Sequence, residues 1–228
     1  MVLNVAPGRS SLLKTPARVG SLSGVAFVAL VLASQLSSGG LPDSSASPAH
    51  VIAFYQAHRR GEQLGAVLTG MAVVVGLYFF GSLRSYLGRV AGGVQFASIG
   101  FAGAIFFGVG GCINAGLQWS LADVPSRLSP GAAQALNVLS KDNLATGLYI
   151  AGLAALMLFY GIAMLRTQLM PRWLGWLSVA LGLIALAGPL VFLVFVATAP
   201  WAIVVSVLLY RRYDIDPAPL QSALDVPE

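Results

Sequence analysis

The chain has 228 residues, of which 13 are Lys or Arg and 8 are Asp or Glu, giving a formal net charge of +5. Only 9% of residues are charged, against roughly 25% in ordinary soluble domains, while 57% are apolar and the mean hydropathy is +0.81. So few charges cannot cover a water-soluble globule of this size, which excludes a soluble enzyme, a disordered chain and a disulfide-rich one and leaves a multi-span membrane protein.

A crossing helix needs about 20 mostly apolar residues. In chain order, the first candidate is 20–37, preceded by a tail (1–19) bearing Arg9, Lys14 and Arg18. Next comes a polar connection, 38–62, holding Ser47-Pro48. Serine at an N-cap followed by proline at the first helical position starts a helix, and Val51, Phe54, Tyr55 and His58 follow at spacings of three and four. A short amphipathic helix is expected there, apart from the span that follows at 63–83. The third span is 92–118. The connection 119–142 repeats the pattern, with Ser129-Pro130 leading into Ala132, Leu136 and Leu139. This predicts a second short amphipathic helix at the same membrane face. The fourth span is 143–165.

From 173 to 210 no Lys, Arg, Asp or Glu occurs, and 38 residues of helix would run about 57 Å, nearly twice a ~30 Å hydrocarbon core. Gly188-Pro189 is the natural break, giving spans 173–187 and 190–210. A break at Ala199-Pro200 would leave too few residues for a final crossing. Six spans result, followed by a tail from 213 to 228. Arg9, Lys14, Arg18, Arg84, Arg89, Arg166, Arg172, Arg211 and Arg212 then share one side, which predicts that both termini are cytoplasmic. Trp119, Trp173, Trp176, Tyr210 and Tyr213 fall at span ends as interfacial anchors, whereas Trp201 falls within a span and is expected to pack on another helix. The basic start followed by Val25–Leu36 also fits a cleaved signal peptide, with Val31-Leu32-Ala33 at the cleavage site.

Shifted by 82 residues, 47–100 matches 129–182 at twelve positions, among them Ser47/Ser129, Gly70/Gly152, Tyr78/Tyr160, Arg84/Arg166 and Gly100/Gly182. Such a shift carries span 2 onto span 4 and span 3 onto span 5, the pattern of a parallel repeat. Span 3 is rich in glycine. Gly100, Ala104, Gly108, Cys112 and Gly116 recur at every fourth position, a predicted small-residue stripe where a neighbouring backbone comes close. Gly103 and Gly111 thin a second edge. Gly147, Ala151 and Ala155 are the expected counterpart on span 4.

Reactive chemistry is sparse. The single cysteine, Cys112, leaves no intrachain disulfide, Cys-x-x-Cys pair or cysteine-built zinc site. His50 and His58 stand about 12 Å apart on a helix, too far for one metal. Asp214-x-Asp216 reads as an acidic tail, and no nucleophile elbow, phosphate loop or zincin motif is present. The basic residues are scattered in pairs with no basic run, which argues against nucleic acid. No ionisable side chain falls in the middle of a span, an argument against proton-coupled pumps and voltage sensors. Asn114 and Gln118 share a helix face near one end of span 3, and with Asn143 they form a candidate polar cleft.

Leu169-Met170-Pro171-Arg172-Trp173-Leu174-Gly175-Trp176-Leu177, with an apolar hairpin and Arg211-Arg212 after it, resembles the end of the bacterial membrane proteins grouped as domain of unknown function 4386. Ser47-Pro48 and the Phe80-Gly81-x-Leu83-Arg84 end of span 2 are similar too, so the resemblance covers about 45–212. It implies a six-span protein of the bacterial plasma membrane and no assigned reaction, cofactor or site. The expectation is thus an all-α six-span bundle in the lipid bilayer, a non-enzymatic accessory or structural component without cofactor or metal. It would work with a membrane protein partner or as a homo-oligomer. The alternative is a small-molecule permease or exporter, which a polar cavity reaching the midplane would favour; an intramembrane enzyme ranks third.

Overall fold

The computed structural model describes residues 9–125, 128–142, 144–188 and 190–215. Among the described residues every regular element is a helix: α1 (Arg9–Ser37), α2 (Pro48–Leu87), α3 (Val94–Asp123), α4 (Pro130–Asp142), α5 (Leu144–Thr167), α6 (Arg172–Leu186) and α7 (Val191–Ile215). Four of them, α2, α3, α5 and α7, contain stretches long and apolar enough to cross a membrane. The apolar part of α1, Leu22–Ser37, and the 15-residue α6 are shorter. Leu64, Val74, Phe106, Leu183, Phe192 and Val207 are exposed, as expected where hydrocarbon is the solvent.

The six apolar helices form a ring, each packed on the next in the order α1, α2, α3, α5, α6, α7, with α7 closing back onto α1. Close approach is built from glycine. A Cβ on Gly103 would sit 2.9 Å from the Ala155 carbonyl carbon of α5, and one on Gly182 of α6 would sit 2.7 Å from the Leu158 nitrogen. One half of the ring's interior is filled by Phe79, Phe80, Leu83, Met157, Tyr160 and Trp201. The Tyr160 hydroxyl donates to the Phe80 carbonyl at 2.7 Å, tying α5 to α2. Trp201, 2% exposed, packs against α6 as expected and donates its indole N–H to Ser178 Oγ at 2.7 Å. Trp119, Trp173 and Trp176 are exposed.

Several expectations are corrected. Both Ser-Pro pairs cap helices, the Ser47 hydroxyl accepting from the His50 amide and Ser129 from the Ala132 amide, each at 3.3 Å. The first of these helices is not short. It continues without a break into span 2, making α2 a 40-residue rod about 60 Å long. The run His58-Arg59-Arg60-Gly61-Glu62-Gln63 is polar, but Arg, Glu and Gln are good helix formers and one glycine does not break a helix. α4 is described over Pro130–Asp142, and residue 143, between it and α5, lies outside the described residues. α3 likewise runs past 118 to Asp123 and meets α2 there, where Arg59 pairs with Asp123 at 3.0 Å. The segment expected as an N-terminal tail is helical from Arg9. The break before α7 falls at Gly188, whose φ of +82° suits glycine; Pro189 lies outside the described residues.

The small-residue stripe also differs. Gly100, Ala104 and Gly108 are buried, but Cys112 and Gly116 are exposed. Steps of four on a 3.6-residue helix advance about 40° each, so Gly116 lies nearly opposite Gly100. The seam with α5 runs through Gly100, Gly103 and Phe107, facing Gly152, Leu156 and Tyr160, while Gly108 and Gly111 face Val73 of α2. On α5, Gly147 has open space around it and Ala151 is exposed, so they take no part in the expected stripe.

Candidate functional site

The other half of the ring's interior is not filled. A cavity of about 540 Å³ lies among α1, α2, α3, α5 and α7. Its deep wall is aromatic, with Phe27, Phe107, Tyr149 and Phe195; the Phe107 and Tyr149 rings meet edge to face at 5.1 Å. Its mouth is polar, with Gln35, Ser38, Gly39, Gly40, Asn114 and Gln118. From Gln118 to Phe107 the wall descends eleven residues of α3, about 16 Å, or half of a ~30 Å hydrocarbon core.

Helix periodicity places these groups. Gly111, Asn114 and Gln118 follow one another at spacings of three and four, so one face of α3 carries all three. Opposite them, Ser34 of α1 and Thr69 of α2 bond each other at 2.7 Å, and both hydroxyls lie within hydrogen-bond distance of the Gly65 carbonyl, at 2.9 and 3.0 Å. Two hydroxyl hydrogens can satisfy only two of these three contacts at a time, and each hydroxyl oxygen keeps acceptor lone pairs. Among the described residues no Lys, Arg, Asp, Glu or His lines the space. Its volume lies within the range of small-molecule sites, and its division into an apolar depth and a polar mouth is typical of them.

The mouth is roofed by a second, smaller core. Val51 and Tyr55 of α2, Leu121 and Ala122 of α3 and Ala133 of α4 are buried together, with Leu41 packed on them. α4 is held there by polar bonds: Asn137 Nδ2 donates to the Asp43 carbonyl at 3.1 Å, Gln134 Nε2 to the Ser44 carbonyl at 3.3 Å, and Ser140 Oγ to Asn114 Oδ1 at 2.8 Å.

Of the three residues of the expected cleft, Asn114 and Gln118 therefore stand together at the mouth, and Asn143 lies outside the described residues. His58 stacks on Phe54 with ring centres 4.5 Å apart, and His50 is exposed. Among the described residues no group of His, Cys, Asp and Glu is placed to hold a metal.

Sequence reasoning missed Ser34, Thr69 and Tyr149, for which long-range pairing gives no local signal. It also missed Glu62. Glu62 is the last residue of the polar connection 38–62; it is 0% exposed, and neither carboxyl oxygen has a hydrogen-bond partner. The Tyr55 hydroxyl, two helical turns away on the same face, is equally buried and unpartnered. Both stand on the part of α2 above the predicted span 63–83. Burial pushes the Glu62 carboxyl above the ordinary carboxylate range, while the Gly39 backbone amide and the His58 ring oppose this without reversing it. Burial, then the Glu62 charge, raise the Tyr55 hydroxyl well above its usual value.

Comparison with protein-family models, curated proteins and solved structures finds no match to this chain.

Proposed function

We propose that this chain is a six-span integral membrane protein that binds a small uncharged molecule in the cavity between α1, α2, α3, α5 and α7, as a permease or exporter does. The cavity's reach, from a polar mouth to about the middle of the helices, carries this reading and moves it ahead of a purely accessory role. An uncharged ligand follows from the lining, because a buried ion would find no counter-charge there. An apolar or aromatic body would fill the depth beside Phe107 and Phe195, and a hydrogen-bonding end would meet Asn114, Gln118 and the Ser34–Thr69 pair.

In this reading α1 and α6 also cross, short as they are, by local thinning of the bilayer. The basic residues support the sidedness. Arg84 and Arg166, both in last helical turns, sit over Phe101 and Phe96 of α3, and Arg212 is in the last turn of α7. This end faces the cytoplasm of a bacterial cell, with both termini, and α4 faces outward. The likeness to domain of unknown function 4386 and the parallel repeat belong to the same proposal. The identically capped starts of α2 and α4 support the repeat.

The test is native mass spectrometry of the full chain purified in mild detergent, with and without Gly111→Phe. A Cβ at Gly111 would point at Tyr149, Val73 and Thr69, so a phenyl ring there fills the cavity. A small molecule carried by the parent and lost from the variant supports the reading. An empty parent with a stoichiometric protein partner returns the protein to the accessory role.

A further inference from the structure

Glu62 is a buried carboxyl group at the joint between α1 and α2. The last turn of α1 lies against α2 on either side of it. A Cβ at Gly61 would sit 2.5 Å from the Ser37 carbonyl oxygen, and one at Gly65 would sit 3.3 Å from that of Ser34. Carbonyls at a helix C-terminus carry about half a negative charge. An ionised Glu62, the neighbour of Gly61 in the chain, would add a full negative charge at this joint, where its side chain is closed to water.

Among the described residues no ion pair is formed with Glu62, and the groups that favour its charged form, the Gly39 backbone amide and the His58 ring, do not outweigh burial. On α2, Tyr55 is unpartnered and raised by burial first and by the same carboxylate second, His58 stacks on Phe54 and partly offsets the rise of the carboxyl, Arg59 turns to Asp123 of α3, and Arg60 is exposed. The α1 end and its connection bring no formal charge; there the Gly39 backbone amide favours the carboxylate, by less than burial disfavours it. α4 brings Gln134, Asn137 and Ser140; the side chains of Lys141 and Asp142, at its far end, lie outside the described residues. With the proton on, the joint is neutral and closed. With the proton off, an unpaired buried charge costs several kcal/mol, and moving the α1 end away from α2 to admit water relieves it. The segment that would move, Ser38 to Leu41, is also the lip of the cavity.

We propose that Glu62 is a proton-binding site that gates the cavity: protonated, it holds the α1–α2 joint closed over the mouth, and loss of the proton opens it. This rests on the cavity being the binding site. The step is a simple transfer of one proton between the Glu62 carboxyl and water.

The experiment uses the full chain in lipid nanodiscs, with Cys112→Ser to remove the native thiol and Thr69→Cys as a reporter inside the cavity. Thiol labelling by a small maleimide is followed from about pH 5 to about pH 8, corrected for thiolate content with a Trp119→Cys control on the exposed surface. The corrected rate should rise by up to about tenfold per pH unit below the Glu62 titration point and then level off, because the ionised fraction does. Glu62→Gln, which keeps the shape and cannot ionise, should stay slow throughout. The infrared carboxylic-acid band of the unsubstituted protein should vanish in the same pH interval and be missing from Glu62→Gln. A corrected rate that ignores pH, or a Glu62→Gln profile like the parent's, overturns the gate and leaves the cavity standing. No labelling at Thr69→Cys under any condition, with Trp119→Cys reactive, overturns the cavity and the gate together. A rate set by sodium, with choline as the control, shows a metal cation in place of the proton and also overturns the proposal.

Discussion

Replacing glycines of α3 one at a time tests how the bundle is held together. At Gly103 an added methyl carbon would lie 2.9 Å from both the carbonyl carbon and the Cβ of Ala155. Non-bonded carbons rest at about 3.5–4.0 Å, so α3 and α5 must part by about 0.6–1.1 Å. A gap of that size forfeits a quarter to a half of each dispersion contact, and the strain of overpacking typically costs about 1–3 kcal/mol. The better helix propensity of alanine returns up to about 1 kcal/mol. Gly103→Ala should thus lose about 1–2 kcal/mol, or a few degrees of Tm for a chain of this length. At Gly108 the methyl would meet only the Val73 side chain, at 3.0 Å, which can give way, so the loss should be smaller. At Gly116 nothing lies within 4 Å, and alanine should be neutral or slightly stabilising. Fluorescence-detected size-exclusion chromatography after heating in detergent gives the three Tm values. Equal values, or Gly116→Ala as the least stable, would refute the assignment of the seam to Gly100, Gly103 and Gly152.

Three further outcomes are expected. Ser178→Ala leaves the buried Trp201 indole N–H without its acceptor; it should cost about 1 kcal/mol and loosen α6 from α7, read as a lower Tm and a shift in tryptophan emission. Because the folded protein holds the Glu62 proton more tightly than the unfolded chain does, this group's contribution is complete below the ordinary carboxylate value. It declines as pH rises through the raised one, so the Tm of the parent should fall over that interval while that of Glu62→Gln stays level. Asn137→Ala removes a bond from α4 to the Asp43 carbonyl and should speed amide hydrogen exchange across 130–142 but not across α6; equal change in both would show that α4 is not held by that contact.

Much of this architecture can be read from the residues because hydrocarbon leaves a backbone few choices. Long apolar runs become helices, and Gly188 ends one where proline follows. What the sequence did not disclose depends on partners far apart in the chain. Glu62 stands in Arg59-Arg60-Gly61-Glu62-Gln63, which reads as a solvated connection, and only the fold reveals that the arginines turn outward while the carboxyl turns in. The even spacing of small residues on α3 hid a similar fact. Four-residue steps wind around a helix, so a pattern that is regular in the chain divides between two neighbours and open surface. Asn114 and Gln118 were legible because two amides at helical spacing in an apolar span need a polar destination, and the mouth of the cavity supplies one.

The unbroken length of α2 has a mechanical consequence. A continuous helix of about 60 Å, twice a ~30 Å hydrocarbon core, joins the end of the bundle where α4 rests to the end that carries Arg84, so a displacement at one end has a stiff path to the other.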